Sequence, residues 1–205
     1  MNRLDLLMDL VRTRRSIRRF RGDPVDGDLV LRLIEAASWA PSAGNRQDSF
    51  FSIVTSPSVK RAMSEAIGQR WDAIIAGNRD SGLIEEVERY AAHFRSFGEA
   101  PVVIAVSARC PESVQRHLLG DDASATSGGA VSAAMAAQNL MLAAHAAGLG
   151  SCCLTGALAA RRELREILEL GRKRDIVCLI ALGWPAESPS PPPRRPVSEI
   201  ARFWP

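Results

Sequence analysis

An α+β fold is the class this sequence predicts, and three observations carry it. Stretches with three- and four-residue apolar spacing read as helices. Short β-branched or wholly apolar runs read as strands. The two kinds follow one another without the strict alternation of a doubly wound sheet. At 205 residues, 46% hydrophobic and 24% charged, the chain can bury a substantial core and has an ordinary globular composition. The expected organisation is one domain over residues 1–205, with 185–205 as a C-terminal arm.

Taken in order, "LDLLMDLV" sets Leu4, Leu7, Met8 and Val11 on one helical face. "DPVDGDLVLRLIEAASWAP" reads as a second helix with Leu29, Leu33, Ala36 and Ala37 inward and Pro41 closing it. "SFFSIVTS" is a strand by its aromatic and β-branched content, and a polar helical region runs from "PSVKRAMSEAIGQRWDAIIAG" to "LIEEVERYAAHFRSFG". "APVVIAVSA" is a buried strand. The segment 109–128 carries no readable pattern.

The most apolar stretch follows, "GGAVSAAMAAQNLMLAAHAAGLG", whose helix from Gly129 to Ala147 approaches the length of a membrane span. Gln138, Asn139 and His145 lie inside it, and much of it is weakly hydrophobic alanine. A helix at the centre of a soluble protein or dimer fits better. "SCCL" is then a short strand, "LAARRELREILEL" a surface helix and "DIVCLIALG" a buried strand. The tail "WPAESPSPPPRRPVSEIARFWP" is too proline-rich to be helical throughout, yet Ile200, Phe203 and Trp204 call for a docking surface.

Charge is unevenly spread. The formal net charge is +3, but residues 1–21 carry seven arginines against Asp5 and Asp9, a local +5 that leaves −2 for the rest. The start "MNRLDLLMDLVRTRR" lacks the apolar core and cleavage site of a secretory signal, so a cytoplasmic location is expected. Cys110, Cys152, Cys153 and Cys178 form no CxxC pair and read as buried reduced thiols. His93, His117 and His145 show no metal-ligand spacing, and no metal is expected.

Within "RTRRSIRRFR", Arg14, Ser16 and Arg18 alternate, so in an extended stretch their side chains share a side while Arg15 and Arg19 point elsewhere. Guanidinium forks beside a hydroxyl suit a phosphate. In "APSAGNRQDSFF", Ser42, Asn45 and Gln47 offer donors and acceptors for the amide edge of a flat heterocycle. A nucleic-acid arm over Arg12–Arg21 is a rival of another class, but the rest of the chain offers no second basic patch.

"RRSIRRF", "APSAGNRQ", "AAQNLMLAAHAAGLGSCCLTG" and "IALGWPAE…PPPRRP" occur in an order and spacing that resemble the nitroreductase family, from about Arg12 to Pro196. The resemblance implies a mostly antiparallel central sheet surrounded by helices, in an intertwined homodimer with exchanged C-terminal arms. It also implies two FMN molecules held non-covalently at the subunit interface. Position by position, Arg14 and Ser16 match residues at the FMN phosphate and ribityl chain, with Arg15 counted in the same set. Arg18 matches the cation at the flavin N1/C2 carbonyl edge. Pro41, Ser42, Ala43, Asn45 and Gln47 match the loop laid near the ring by the partner subunit. Cys153, Leu154, Thr155 and Gly156 match the strand end whose backbone reaches N5. Arg194 or Arg195 matches a late basic residue that returns to the phosphate.

Asp48-Ser49 stands where the family often has Pro-Trp, and Thr155 stands at an often acidic position. The implied activity is transfer of hydride from NADH or NADPH to FMN, then reduction of a nitroaromatic, quinone or similar flat electrophile. No side chain is expected to act as a catalytic acid, base or nucleophile. Two relatives on the same fold are alternatives: a flavin-destroying enzyme that makes the lower ligand of cobalamin, and the flavin-binding part of a deazaflavin-cofactor ligase. The second is disfavoured by the lack of a preceding ligase domain.

Overall fold

The computed structural model describes residues 2–77, 81–92, 94, 97–109 and 128–204. The elements run α1 (Arg3–Thr13), α2 (Gly27–Ser38), β1 (Phe50–Val54), α3 (Pro57–Ala76), α4 (Ser81–Ala92), β2 (Val102–Arg109), α5 (Gly128–Ala146), β3 (Gly150–Leu154), α6 (Arg161–Ile167), β4 (Arg174–Gly183) and α7 (Val197–Ile200). The unreadable segment 109–128 falls almost wholly outside the described residues, as does Cys110. The α+β reading holds: the strands form one antiparallel sheet in the order β1-β2-β4-β3, with helices on both faces.

That double cover explains the continuous apolar runs of the central strands. Along β2, Val103 and Ala105 join one core with α3, α4 and the turn before α6, whereas Val102, Ile104 and Val106 join the other with α2 and α5. A strand covered on both sides has no solvent face on which to place polar residues. In β4 the register slips between Val106 and Ser107 of its neighbour, so Ile176 faces the same core as Leu179. A bulge inserts one residue and so reverses which side each later residue faces.

α2 buries Val30, Leu33 and Ala37, with Leu29 and Ala36 half-buried, close to the expected stripe. It is capped by Asp26, whose side chain accepts from the Asp28 amide at 3.1 Å. α1 is helical as expected, with a reciprocal Asn2–Asp5 cap, yet none of its residues is buried in the protomer. α5 buries one face through Ser132, Ala133, Ala136, Ala137, Leu140 and Ala144 and exposes Val131 and Met135 on the other. Among the described residues no helix is long and apolar enough to cross a membrane. The tail holds a single helical turn, α7, and Phe203 and Trp204 lie open at 97% and 80% exposure.

Candidate functional site

The arginine-rich stretch is extended, the condition under which Arg14, Ser16 and Arg18 share a side. Ile17 N–H donates to Ser151 O at 3.0 Å, which seats Ser16 beside β3 in a parallel bridge. Arg21 N–H donates to Trp184 O and Ala186 N–H to Arg19 O, both at 2.9 Å, so residues 19–21 pair with the segment leaving β4. Gly150 makes this docking possible. A Cβ there would lie 2.8 Å from the Ile17 side chain, closer than real contacts allow.

Beside this segment lies a cavity of about 230 Å³ lined by Arg14, Arg15, His145, Ser151 and Glu187 among others. Arg14 is half-buried, and its charge opposes protonation of His145 while favouring the thiolates of Cys152 and Cys153. Burial, then Arg14, holds His145 below the usual imidazole range, while Asp9 pulls the other way. The Thr13 hydroxyl donates to Asp9 O at 2.7 Å, which leaves its oxygen to accept from His145 Nε2–H at 2.8 Å.

Of the other arginines, Arg15 folds back, its Nη1 donating to Arg12 O and Arg14 O at 2.7 Å each. Arg18 is exposed. Arg19 pairs with Glu187 at 3.4 Å, and Arg21 pairs with Asp23 at 3.3 Å. Glu187 also accepts from the Arg18 and Arg19 amides. The Arg18 amide above all, and then Arg19, hold its carboxyl below the ordinary range against the effect of burial. Glu187 was not among the residues picked from sequence. The one signal for it was an acid in an otherwise basic, proline-rich tail. His145 and Ser151 were missed as well; both sit in apolar runs whose period does not separate core from cleft. The Ser151 hydroxyl is buried without a hydrogen-bond partner.

Cys153 and Thr155 are exposed on the edge strand and beyond it, while Leu154 is buried and Gly156 packs under the Phe94 ring. The reading of all cysteines as buried thiols is therefore corrected. Cys152 and Cys178 are buried, but Cys153 is exposed, because β3 is an edge strand and its outer end has no covering helix. Arg194 and Arg195 are both exposed, and neither lines the cavity.

The loop 41–47 lies elsewhere. Ala43 N–H donates to Ser132 Oγ at 3.2 Å, and a Cβ on Gly128 would lie 2.9 Å from that of Ala43, so the loop sits on the N-terminal end of α5. Ser42 Oγ accepts from the Gln47 amide at 3.0 Å, and Gln47 Nε2 donates to Asn45 Oδ1 at 3.3 Å. Asn45 and Gln47 both take φ of 51°, a left-handed backbone in which Asn is better tolerated than most residues. Asp48 closes the loop through an ion pair with Arg46 at 3.0 Å, and its carbonyl accepts from Arg174 at 2.9 Å. Pro41 is exposed just before the loop.

The expected site residues thus form two groups. Thirteen α-helical residues separate Ser132 from His145, a rise of about 20 Å. Within one protomer the loop and the arginine segment are at opposite ends of α5. The donors around the cavity fit a phosphate: the half-buried Arg14 guanidinium, with Arg15 and Ser151 in the same lining. About 230 Å³ admits the phosphate-bearing end of a nucleotide, and the exposed end of β3 offers a surface for the remainder.

Residues 11–184 match the nitroreductase family. The chain is 33% identical over 192 residues to NADH dehydrogenase of Thermus thermophilus, spanning 91% of this chain and 90% of that one. It is 30% identical over 204 residues to 5,6-dimethylbenzimidazole synthase of Rhodospirillum rubrum, spanning 97% and 88%. Among solved structures, a BluB-like flavoprotein from Clostridium difficile superposes with a TM-score of 0.82 at 25% identity, covering 97% of this chain and 98% of that one.

Proposed function

This chain belongs to the nitroreductase family, and we propose that it is an FMN-dependent oxidoreductase taking electrons from NADH or NADPH and passing them to a flat electrophilic acceptor. The observation that carries the reading is Arg14, half-buried and lining the cavity together with His145 and Ser151. Bound FMN would supply hydride and electron transfer that no side chain here can supply. Arg14 and Ser16 would hold its phosphate and ribityl chain. Arg18 would set a positive charge at the pyrimidine edge, which favours the electron-rich form of the ring. The backbone of Cys153 to Gly156 would run beside the ring. Arg15, which also lines the cavity, and Arg19 brace the extended segment.

Ser42, Ala43, Asn45 and Gln47 of the partner subunit would complete the site, since one protomer holds its own loop about 20 Å away along α5. A homodimer also accounts for the apolar surface on one protomer: Leu4, Leu7 and Val11 of α1, Val131 and Met135 of α5, and Phe203 and Trp204 of the arm are all exposed. The whole chain then acts as one FMN-binding domain with its arm on the partner.

The test is anaerobic rapid mixing of the flavin-loaded protein with NADH and with NADPH, followed by a nitroaromatic or quinone. Bleaching of the flavin band by either donor and its return with the acceptor supports the reading; no bleaching by either overturns it. The match to 5,6-dimethylbenzimidazole synthase supports a second reading, oxygen-dependent destruction of the flavin itself. In air, reduced flavin would then lose its ring spectrum irreversibly instead of regaining it. Nucleic-acid binding is disfavoured because Arg15, Arg19 and Arg21 are engaged within the chain. A colourless protein with strongly salt-dependent DNA affinity would reverse that judgement.

A further inference from the structure

Cys153 faces Ile180 across the β3–β4 ladder, and Cys178 lies two residues along β4 on the same face. Cys152 points to the opposite side of β3, into the core with Leu179 and Ala181. Cys153 is exposed, whereas Cys178 is 3% exposed. The neighbouring Cys178 thiol favours the Cys153 thiolate, and Arg14 adds a positive charge from the arginine segment. Against burial, these bring Cys153 to a pKa of about 7. The neighbouring Cys153 sulfur, with burial, pushes Cys178 far up. One sulfur of the pair is thus exposed and ionises near neutral pH, and the other is buried and keeps its proton.

We propose that Cys153 and Cys178 are a peroxide-reactive thiol pair, in which Cys153 is oxidised by a hydroperoxide and Cys178 resolves it to a disulfide between β3 and β4. The Cys153 thiolate attacks one oxygen of hydrogen peroxide. The O–O bond breaks, hydroxide leaves and takes up a proton to become water, and Cys153 becomes a sulfenic acid. The Cys178 sulfur then attacks the Cys153 sulfur. The S–O bond breaks, and the hydroxyl leaves as water with the Cys178 proton. Two thiols lose two electrons and two protons, and one peroxide becomes two waters.

Diagonal positions on antiparallel strands are about 7–8 Å apart at Cα, at the far limit of disulfide reach, so closure draws β3 toward its neighbour. The fold allows this movement. β3 is an edge strand bridged on its outer side at Ser16, and Cys178 follows the bulge in β4. The sulfur chemistry uses no flavin atom, since both sulfurs belong to the protein, but Cys153 lies where the flavin reading runs the ring, so the peroxide reaction is followed on flavin-free protein.

The experiment treats the flavin-free protein with hydrogen peroxide, quenches it with an alkylating agent and maps its cysteine peptides by mass. The expected result is a Cys153–Cys178 linked peptide that reductant dissolves. Cys178→Ser should instead accumulate a Cys153 sulfenic acid that dimedone captures, and Cys153→Ser should leave Cys178 unoxidised at the same dose. Iodoacetamide should alkylate Cys153 at pH 7 about tenfold faster than a thiol of ordinary acidity. A link from Cys153 to Cys110 or Cys152, higher oxidation of Cys153 without any link, or no oxidation at all overturns the proposal.

Discussion

The two ends of α5 hold the two halves of the candidate site by different means. At the C-terminal end, the arginine segment is fixed by backbone pairing: Ile17 to Ser151, Arg21 to Trp184 and Ala186 to Arg19. At the N-terminal end, the loop is fixed by side chains and turn geometry, through Ser132, Ser42 and the left-handed Asn45 and Gln47. Each end also depends on a glycine that admits a close neighbour, Gly150 for Ile17 and Gly128 for Ala43. Backbone pairing fixes a line of residues, which suits a row of phosphate and ribityl donors. A side-chain-tied loop presents a compact edge, which suits a planar ring. The length of α5 keeps the halves apart in one chain, so the comparison itself predicts a shared site.

Mixing subunits gives the largest effect. Arg14→Ala alone should weaken FMN binding by about 1–3 kcal/mol, the range for a charge-assisted hydrogen bond. A homodimer of Arg14→Ala and one with a disrupted loop, Ser42→Ala with Gln47→Ala, should both bind flavin poorly. Mixed dimers should regain one tight site each by fluorescence titration. No recovery on mixing would place both halves of a site in the same chain.

Gly150→Ala comes next. Its new methyl meets Ile17, and overpacking of this kind costs about 1–3 kcal/mol. The thermal midpoint and flavin affinity should fall together. Gly128→Ala meets the exposed Ala43 and the exposed Arg46, so it should reduce flavin affinity with little change in stability. Equal stability losses in the two variants would erase the contrast between the ends.

Glu187→Ala removes the acceptor for the Arg18 and Arg19 amides, and a loss of about 1–2 kcal/mol is expected from urea unfolding. Because the folded carboxyl is held below its unfolded value, its contribution is fully present above about pH 4.3 and fades as pH falls through the folded value. The wild-type advantage should therefore disappear in acid. The smallest effect belongs to His145→Gln. The folded imidazole is held below its unfolded value of 6.5, so its contribution is present above that pH and lost as pH falls through the folded value. The variant should show a flatter thermal midpoint from pH 6.5 downward.

Most of the fold could be read from local pattern. Apolar spacing located α1 and α2, a polar helical run α3 and a wholly apolar one α5, and the β-branched runs located β1, β2 and β4, because period and composition are local properties. Residues 14–18 are extended, the condition under which the alternating Arg14, Ser16 and Arg18 share a side. The cysteines show where such reading stops. Cys152 and Cys153 are adjacent and chemically identical, and only the position of β3 at the sheet edge makes one buried and the other exposed. The same limit applies to Glu187, whose partners are 168 and 169 residues away.

The linear chain by itself determined the element types, the antiparallel frame's apolar strands and the motifs that mark a flavin family, since each depends on neighbours within a few turns. Only the tertiary structure decided that Arg14 and His145 line one cavity, that Arg15, Arg19 and Arg21 are engaged within the chain, and that the loop at 41–47 is a helix length away. Those facts depend on strand register, packing and the rigid rise of α5, which bring together or hold apart residues distant in sequence.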